Sequence, residues 1–336
     1  MTPQFPIGKV APDALRALVY SHLGARRPDV LVHAEFGEDC AAIEFGAEAA
    51  VVTTDPITGA GADLGWYAVH VATNDLAAAG AEPVAVFLTL LLAPAHAGED
   101  LGRVMRDASA AAAELGIEIA GGHTEVTAGI DRTIAVITAI GRAPRDRLLR
   151  SGGARAGDVL LLTKGAGIEG TAILASALEQ RLAPMVGKDV IARAQAYRSM
   201  ISVLPEARAA AASGEARAMH DVTEGGVLGA AFEMAAASRV GIHVHADRVP
   251  VLPETAAICG CLGIDPLGLI GSGALLVATP HGQRATAAVA QAGVLAAEIA
   301  QFIPSERLVT RDGRTAPLEP PAGDELWRAL QQHRAR

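Results

Sequence analysis

Apolar positions along this chain fall into short unbroken runs and into longer helix-period stretches, with glycine between them. Val84 to Leu92 is an almost continuous apolar run of strand length, which predicts a buried strand. Ala41 to Glu44 and Ala50 to Thr54 predict strands ahead of it. Leu64 to Ala79 predicts a helix with Asp63 at its N-cap. Gly80 and then Pro83 stop that helix, so Asp75 lies in its last turns. A carboxylate there faces the negative end of the helix dipole, at a cost of roughly 0.3–1 kcal/mol. Glu99 to Leu115 predicts a second helix, closed by Gly116. Ile117 to Ala120 predicts a short strand running into Gly121-Gly122-His123-Thr124-Glu125-Val126. Thr133 to Ile140 predicts another strand.

The stretch Gly141 to Gly157 is rich in Arg and Gly and lacks apolar periodicity. It predicts a boundary between a domain at 1–148 and a second at 149–336. Beyond it, strands are expected at Asp158–Leu162, Gly241–His245 and Ala274–Thr279. Helices are expected at Ile168–Leu178, Asp189–Val203, Pro205–Ala212, Val227–Ala237 and Gly282–Ala292, and a short basic helix or tail after Pro317. Strands and helices do not alternate strictly, so two α+β domains are favoured over a doubly wound sheet.

Composition narrows the function classes. A net charge of −9 argues against general nucleic-acid binding, and 3% aromatic residues leave little for base stacking. No apolar run has the length of a membrane span, and no leader pattern is evident, so a cytoplasmic protein is expected. The three cysteines give no disulfide framework; Cys259 and Cys261 form C-x-C with no second pair for zinc, and read as small buried thiols.

The candidate chemistry is carboxylate chemistry. Asp39, Asp55, Asp75, Glu125 and Asp221 all sit at predicted element edges among small residues. Asp39 follows a Gly turn before a strand. Asp55 ends the next strand, where Pro56 blocks continued pairing. Carboxylates at adjacent strand ends suit Mg²⁺, which takes a few oxygen ligands alongside waters and phosphates. Gly121 and Gly122 would let the backbone approach a ligand and expose N–H donors, with His123, Thr124 and Glu125 at once behind them. Asp221 precedes the pair Gly225-Gly226, which opens a helix, and such an N-terminus favours phosphate. Each acid also has a plain reading as a turn residue.

Several motifs point elsewhere. Gly165-Ala166-Gly167-Ile168-Glu169-Gly170 matches G-x-G-x-x-G, but the downstream Asp189 precedes a helix and does not end a second strand, so a dinucleotide site is not expected. Lys164, beside these glycines, either contacts phosphate or lies at the surface. His243 and His245 share a strand face and read as solvated. No P-loop and no G-x-S-x-G occurs.

In order, Gly-x-Asp-x-Ala, Thr-Thr-Asp, Asn-Asp-Leu-Ala-x-x-Gly-Ala-x-Pro, Gly-Gly-x-Thr and Asp-Val-Thr-x-Gly-Gly resemble the aminoimidazole ribonucleotide synthetase superfamily, also called PurM-like, over about residues 30 to 310. Within it the hydrogenase-maturation HypE branch is the most similar. The resemblance implies an N-terminal domain that forms a β-barrel across a homodimer, a C-terminal α+β domain, and ATP with Mg²⁺. It implies metal-binding roles for Asp39, Asp55, Asp75 and Asp221. It also implies a phosphate site lined by Gly121, Gly122, His123, Thr124 and Glu125, reached by Lys164 and Asp221, with Asp75, His123 and Glu125 as the catalytic groups. The activity implied is phosphorylation of an amide-type or other oxygen on a small-molecule or protein-borne acceptor, with maturation proteins as possible partners. Two departures stand out. The HypE branch carries a terminal Cys as its nucleophile, and here no thiol follows Cys261. Thiamine-monophosphate kinases place Asp where His123 stands. The alternatives are therefore a small-molecule kinase of that type, or a non-catalytic nucleotide-binding dimer.

Overall fold

A computed structural model describes residues 12–20, 23, 27–58 and 63–333. The chain divides into two compact units. One contains Asp29–Val32 and Asp39–Leu148. The other contains His33–Glu38 and the chain from Leu149 on, together with the first helix, α1 (Pro12–Leu18).

The first unit is a sheet with two helices. It comprises β1 (Val30–Val32), β2 (Ala41–Phe45), β3 (Glu48–Ile57), α2 (Leu64–Ala78), β4 (Glu82–Leu92), α3 (Ala97–Leu115), β5 (Glu118–Val126) and β6 (Ile134–Pro144). Its six strands run β1-β2-β3-β6-β4-β5, antiparallel except for the pair β4–β5. Within the single chain the sheet is open, with β1 and β5 at its edges.

Helix α2 is buried on nearly every side, from Tyr67 to Ala78. It packs on β3 and β6 and also against α3. The small side chains make this possible: a Cβ at Gly65 would fall 2.1 Å from the Val104 carbonyl oxygen of α3. Gly116 closes α3 in the left-handed conformation, with φ of 69°. Asp63 holds the N-cap position of α2, but its side chain makes no capping hydrogen bond.

Two expectations in this unit are corrected. Pro56 does not end β3, which pairs with β6 through Ile57. The partner on the other side, β2, has already stopped opposite Val52, so beyond that point β3 is an edge, where proline is tolerated. Likewise, the strand expected at Ile117 to Ala120 does not stop at Gly121 and Gly122. Strand β5 runs straight through them to Val126, in parallel register with β4.

The reason is close backbone approach. Gly122 has φ of 146°, and a Cβ there would lie 1.9 Å from the Leu88 carbonyl oxygen. Gly122→Ala is therefore expected to strip β5 from β4 and to cost at least about 2 kcal/mol. Amide exchange along Glu118–Val126 checks this; native protection of that strand in the variant would contradict it.

The second unit comprises β7 (Val159–Thr163), α4 (Ile168–Ala177), α5 (Glu179–Val186), α6 (Lys188–Gln195), α7 (Leu204–Ser213), β8 (Ala218–Asp221), α8 (Gly226–Ala237), β9 (Gly241–His245), α9 (Pro253–Leu262), β10 (Leu275–Thr279), α10 (Gly282–Gln291), β11 (Ala296–Ile303), β12 (Arg307–Arg311), β13 (Arg314–Pro317) and α11 (Glu325–His333). Its seven strands run β13-β12-β9-β11-β7-β10-β8. Only β9–β12 is parallel. Strand β7 lies between two antiparallel neighbours, so no dinucleotide-type βαβ unit follows the glycines at 165–170. Those glycines serve packing instead: a Cβ at Gly170 would lie 2.4 Å from the Leu269 side chain. The expected helix 189–203 breaks into α6 and a 3-10 turn at Ala196–Met200.

Candidate functional site

The sharpest cluster forms where β3 meets the end of α2. Residues two apart on a strand share a face, so Thr53 and Asp55 project together from β3. The Thr53 hydroxyl lies 2.5 Å from Asp75 Oδ2 and 3.3 Å from Asp55 Oδ2. With one proton to give, it donates to the nearer carboxylate. Asp75 and Thr53 are both buried. The terminal turn of α2 fixes Asp75 through its backbone, because its carbonyl accepts the Ala79 N–H at 3.0 Å. Two carboxylates gathered about one hydroxyl, from adjacent elements, are hard oxygen donors of the kind Mg²⁺ takes. Thr53 had no role in the sequence reading; the period-2 spacing Thr53-x-Asp55 was its one signal.

Asp39 lies just before β2, in the same unit. Ala41 opposes Val52 in the antiparallel register, so Asp39 sits toward the same end of the sheet as Asp55.

The second group of expected residues lies on the edge strand β5. Because this segment is a strand, its side chains alternate. Gly121, His123 and Glu125 face one way, and Gly122 and Thr124 face the other. The expected single cradle is thus divided between two faces. His123 Nε2 stands 3.3 Å from Glu125 Oε2, and the Thr127 hydroxyl donates to Glu125 Oε1 at 2.8 Å. All of β5 beyond Ile119 is exposed. Strands β6 and β4 separate β3 from β5. At about 4.8 Å per strand, the His123–Glu125 pair lies roughly 14 Å from Asp55 along the sheet of one chain. Asp75, His123 and Glu125 therefore do not form one cluster within a single copy.

The Thr127 hydrogen bond, with a further one from His123, holds the Glu125 carboxyl below the usual carboxylate range. A depressed carboxyl favours this arrangement above its ordinary pKa, and the favour is lost as pH falls through the lowered value. Carbon-13 NMR should find Glu125 titrating below 4.5. Thr127→Val should move it back up; an unmoved midpoint would refute the hydrogen-bond cause.

In the second unit Asp221 ends β8, buried, opposite Leu275 of β10. Its neighbour His220 is held by Glu233 Oε2 at 3.2 Å and by the Ser151 hydroxyl at 3.4 Å. The turn that follows starts α8 as expected, with Gly225 and Gly226 at φ of 93° and 63°. Its Gly225 amide is already engaged: it donates to Asp324 Oδ2 at 2.7 Å.

Lys164 is neither at the surface nor turned to a ligand. Its ammonium donates to the carbonyls of Met200, Ser202 and Gly273 at 3.0, 2.7 and 2.8 Å. It also lies 2.8 Å from Glu206 Oε1. Three N–H donors facing four acceptors leave none for phosphate. Burial lowers its pKa, and Glu206 opposes that shift. The reading of Cys259 and Cys261 as buried thiols holds for Cys259, where burial pushes the thiol up to about 12; Cys261, like Cys40, is half-buried.

An open mixed sheet backed by α2 and α3, followed by a second mixed sheet, is the two-domain α+β architecture of the PurM-like class. The chain belongs to the AIR synthase related family: residues 37–143 match its N-terminal domain and residues 155–313 its C-terminal domain. It is 32% identical over 272 residues to the carbamoyl dehydratase HypE of Rhizobium leguminosarum bv. viciae, covering 79% of this chain and 75% of that one. It is also 32% identical over 263 residues to a selenide, water dikinase of Burkholderia ambifaria, covering 74% and 69%. Among solved structures it resembles E. coli HypE, a hydrogenase maturation protein, with a TM-score of 0.73 at 25% identity, covering 83% of this chain and 88% of that one. Among the described residues no helix is long and apolar enough to cross a membrane.

Proposed function

We propose that this protein is an ATP- and Mg²⁺-dependent enzyme of the HypE type that phosphorylates an amide-type or other oxygen of its acceptor and releases ADP. The observation that carries this reading is the Thr53-centred pair Asp55 and Asp75, in a chain whose relatives include a carbamoyl dehydratase and a dikinase. Asp55 and Asp75, with Asp39, are the proposed metal ligands; Asp221 joins them on its motif alone. Their charge and hard oxygen chemistry fit Mg²⁺, which when bound neutralises charge on the phosphates during transfer. Thr53 aims the Asp75 carboxylate through its hydrogen bond. His123 and Glu125 are the proposed phosphate-side groups, and Gly121, Gly122 and Thr124 line the same strand. Lys164 is not carried into the site, because its donors are taken within its own unit.

Homodimerisation through the six-stranded sheet is part of this proposal. Strand β5 exposes its full edge, and Val84, Phe87 and Val126 are large apolar side chains left in solvent. The test is ADP release in Mg²⁺ and in EDTA, across candidate amides and phosphorylated precursors, with mass measured by light scattering. Mg²⁺-dependent turnover by a dimer is the expected result. Failure to bind ATP at all would end the reading.

A further inference from the structure

The chain after β13 folds back over the turn that starts α8. The Pro321 ring covers that turn: a Cβ at Gly225 would lie 2.8 Å from Pro321 Cγ. Asp324 then fastens the segment. Its Oδ1 accepts the Leu326 N–H at 2.7 Å, which caps α11, and the Ile270 N–H at 3.2 Å. Its Oδ2 accepts the Gly225 N–H at 2.7 Å. Trp327 adds a hydrogen bond from its indole N–H to Glu224 Oε1 at 3.1 Å. One carboxylate thus ties α11 to two separate loops of the unit.

The environment of that carboxylate is acidic. Glu169, in the first turn of α4, is 5% exposed, and its Oε2 has no hydrogen-bond partner. The next residue, Gly170, donates its N–H to the Ile270 carbonyl at 3.0 Å, and Ile270 donates in turn to Asp324, so the start of α4 is tied to that carboxylate. The charged groups weighing on Glu169 are Asp324 and Glu224, both acids, and the nearby Ser272 hydroxyl has no hydrogen-bond partner. Glu224 also weighs on Asp324. Of the charged groups on α11 and beside it, Glu325 pairs with Arg328 and Asp265 with Arg311, while His333, at the far end of the helix from Asp324, has neither ring nitrogen hydrogen-bonded. A buried carboxyl with an unsatisfied oxygen is tolerated when it carries a proton. Burial raises Glu169 to about 7 and Asp324 to about 6.

We propose that residues 319–333 form a proton-sensitive strap, closed over the Gly225-Gly226 turn while the Glu169–Asp324 pair keeps a proton and lifted when that proton leaves. Asp324 accepts three N–H groups and is the member suited to carry charge; Glu169 is the member suited to hold the proton. Ionising Glu169 places a second charge beside the first in a site with little water. The strap itself does not depend on the nucleotide reading. What it uncovers, the Gly225 amide, is the helix-start donor that an anionic ligand would use.

The sign follows from the raised values. The closed state holds the proton more tightly than a solvated carboxyl does. Closure is therefore strongest at acid pH, weakens as pH climbs from the ordinary carboxylate range toward 7, and then levels off. Trp327 is a built-in reporter, because the chain has only one other tryptophan, Trp66.

In a Trp66→Phe background, raising pH from 5 to 8 should redden the Trp327 emission and increase its quenching by iodide. Amides of Leu326–Leu330 should exchange about tenfold faster than the intrinsic pH effect explains, while β7 and β10 stay protected. Glu169→Gln should hold the closed signal at every pH, and Asp324→Ala the open one. An emission that ignores pH, or a Glu169→Gln variant with an unchanged midpoint, would overturn the strap. Loss of β7 and β10 protection at the same pH would also overturn it, by showing that the whole unit opens.

Discussion

Asp75→Asn should lower Mg²⁺-dependent turnover of ATP by at least about 100-fold while leaving the fold intact. The two halves of this expectation have separate causes. Asn still offers an oxygen to the Thr53 hydroxyl, which now lies 2.5 Å from Asp75 Oδ2, so the junction of β3 and α2 keeps its hydrogen bond. What disappears is a negative charge beside Asp55. An amide oxygen is a poor substitute for a carboxylate toward a small divalent cation. Isothermal titration of ATP with and without Mg²⁺ separates the two. The wild type should gain affinity with the metal, and the variant should gain little. Thr53→Val should show a milder loss in the same direction, since it removes the orienting hydroxyl and not the charge. An Asp75→Asn protein with full Mg²⁺-dependent turnover would remove the metal assignment.

The largest effect on stability is expected at Lys164. Lys164→Ala should destabilise the second unit by about 3–5 kcal/mol, because it strands Glu206 as an uncompensated buried charge. Glu206 is fully buried, and its Oε1 faces both Lys164 and the Thr163 hydroxyl. The carbonyls of Met200, Ser202 and Gly273 lose their common donor as well. Lys164 stands at φ of 55°, a strain that alanine would bear equally, so the loss comes from the side chain and not from the backbone. The double variant Lys164→Met, Glu206→Leu should recover a large share of the loss, since removing both charges removes the desolvation problem. Denaturant melts of the three proteins measure this. A Lys164→Ala protein as stable as the parent would mean that the ammonium is not the centre of that network.

Much of the first unit was legible in the sequence. The run Val84–Leu92 became β4, Leu64–Ala79 became α2 within one residue, and Gly116 closed α3 as read. These elements have strong local signals: continuous apolar character, helix period, and a glycine stop. The elements that were missed lack such signals. Strand β8 has four residues, two of them His220 and Asp221, and its burial comes wholly from its neighbours. Helix α9 is built from small residues with no clear polar face, and α5 carries Pro184 inside it. Strand β5 was cut short because two glycines look like a turn. They are strand residues there because β4 passes too close for any side chain at Gly122.

The residue types of the proposed site were likewise set by the sequence, since Asp75 beside a helix stop and the ordered small-residue motifs define the family. The groupings were not. That Thr53 joins Asp55 to Asp75, that His123 and Glu125 stand on an exposed edge strand, and that Lys164 is enclosed by carbonyls all depend on which segments lie side by side. Local spacing fixes the face on which a side chain emerges. Only the packing of distant segments decides what that face meets, because hydrogen bonds and buried charges find their partners across the fold and not along the chain.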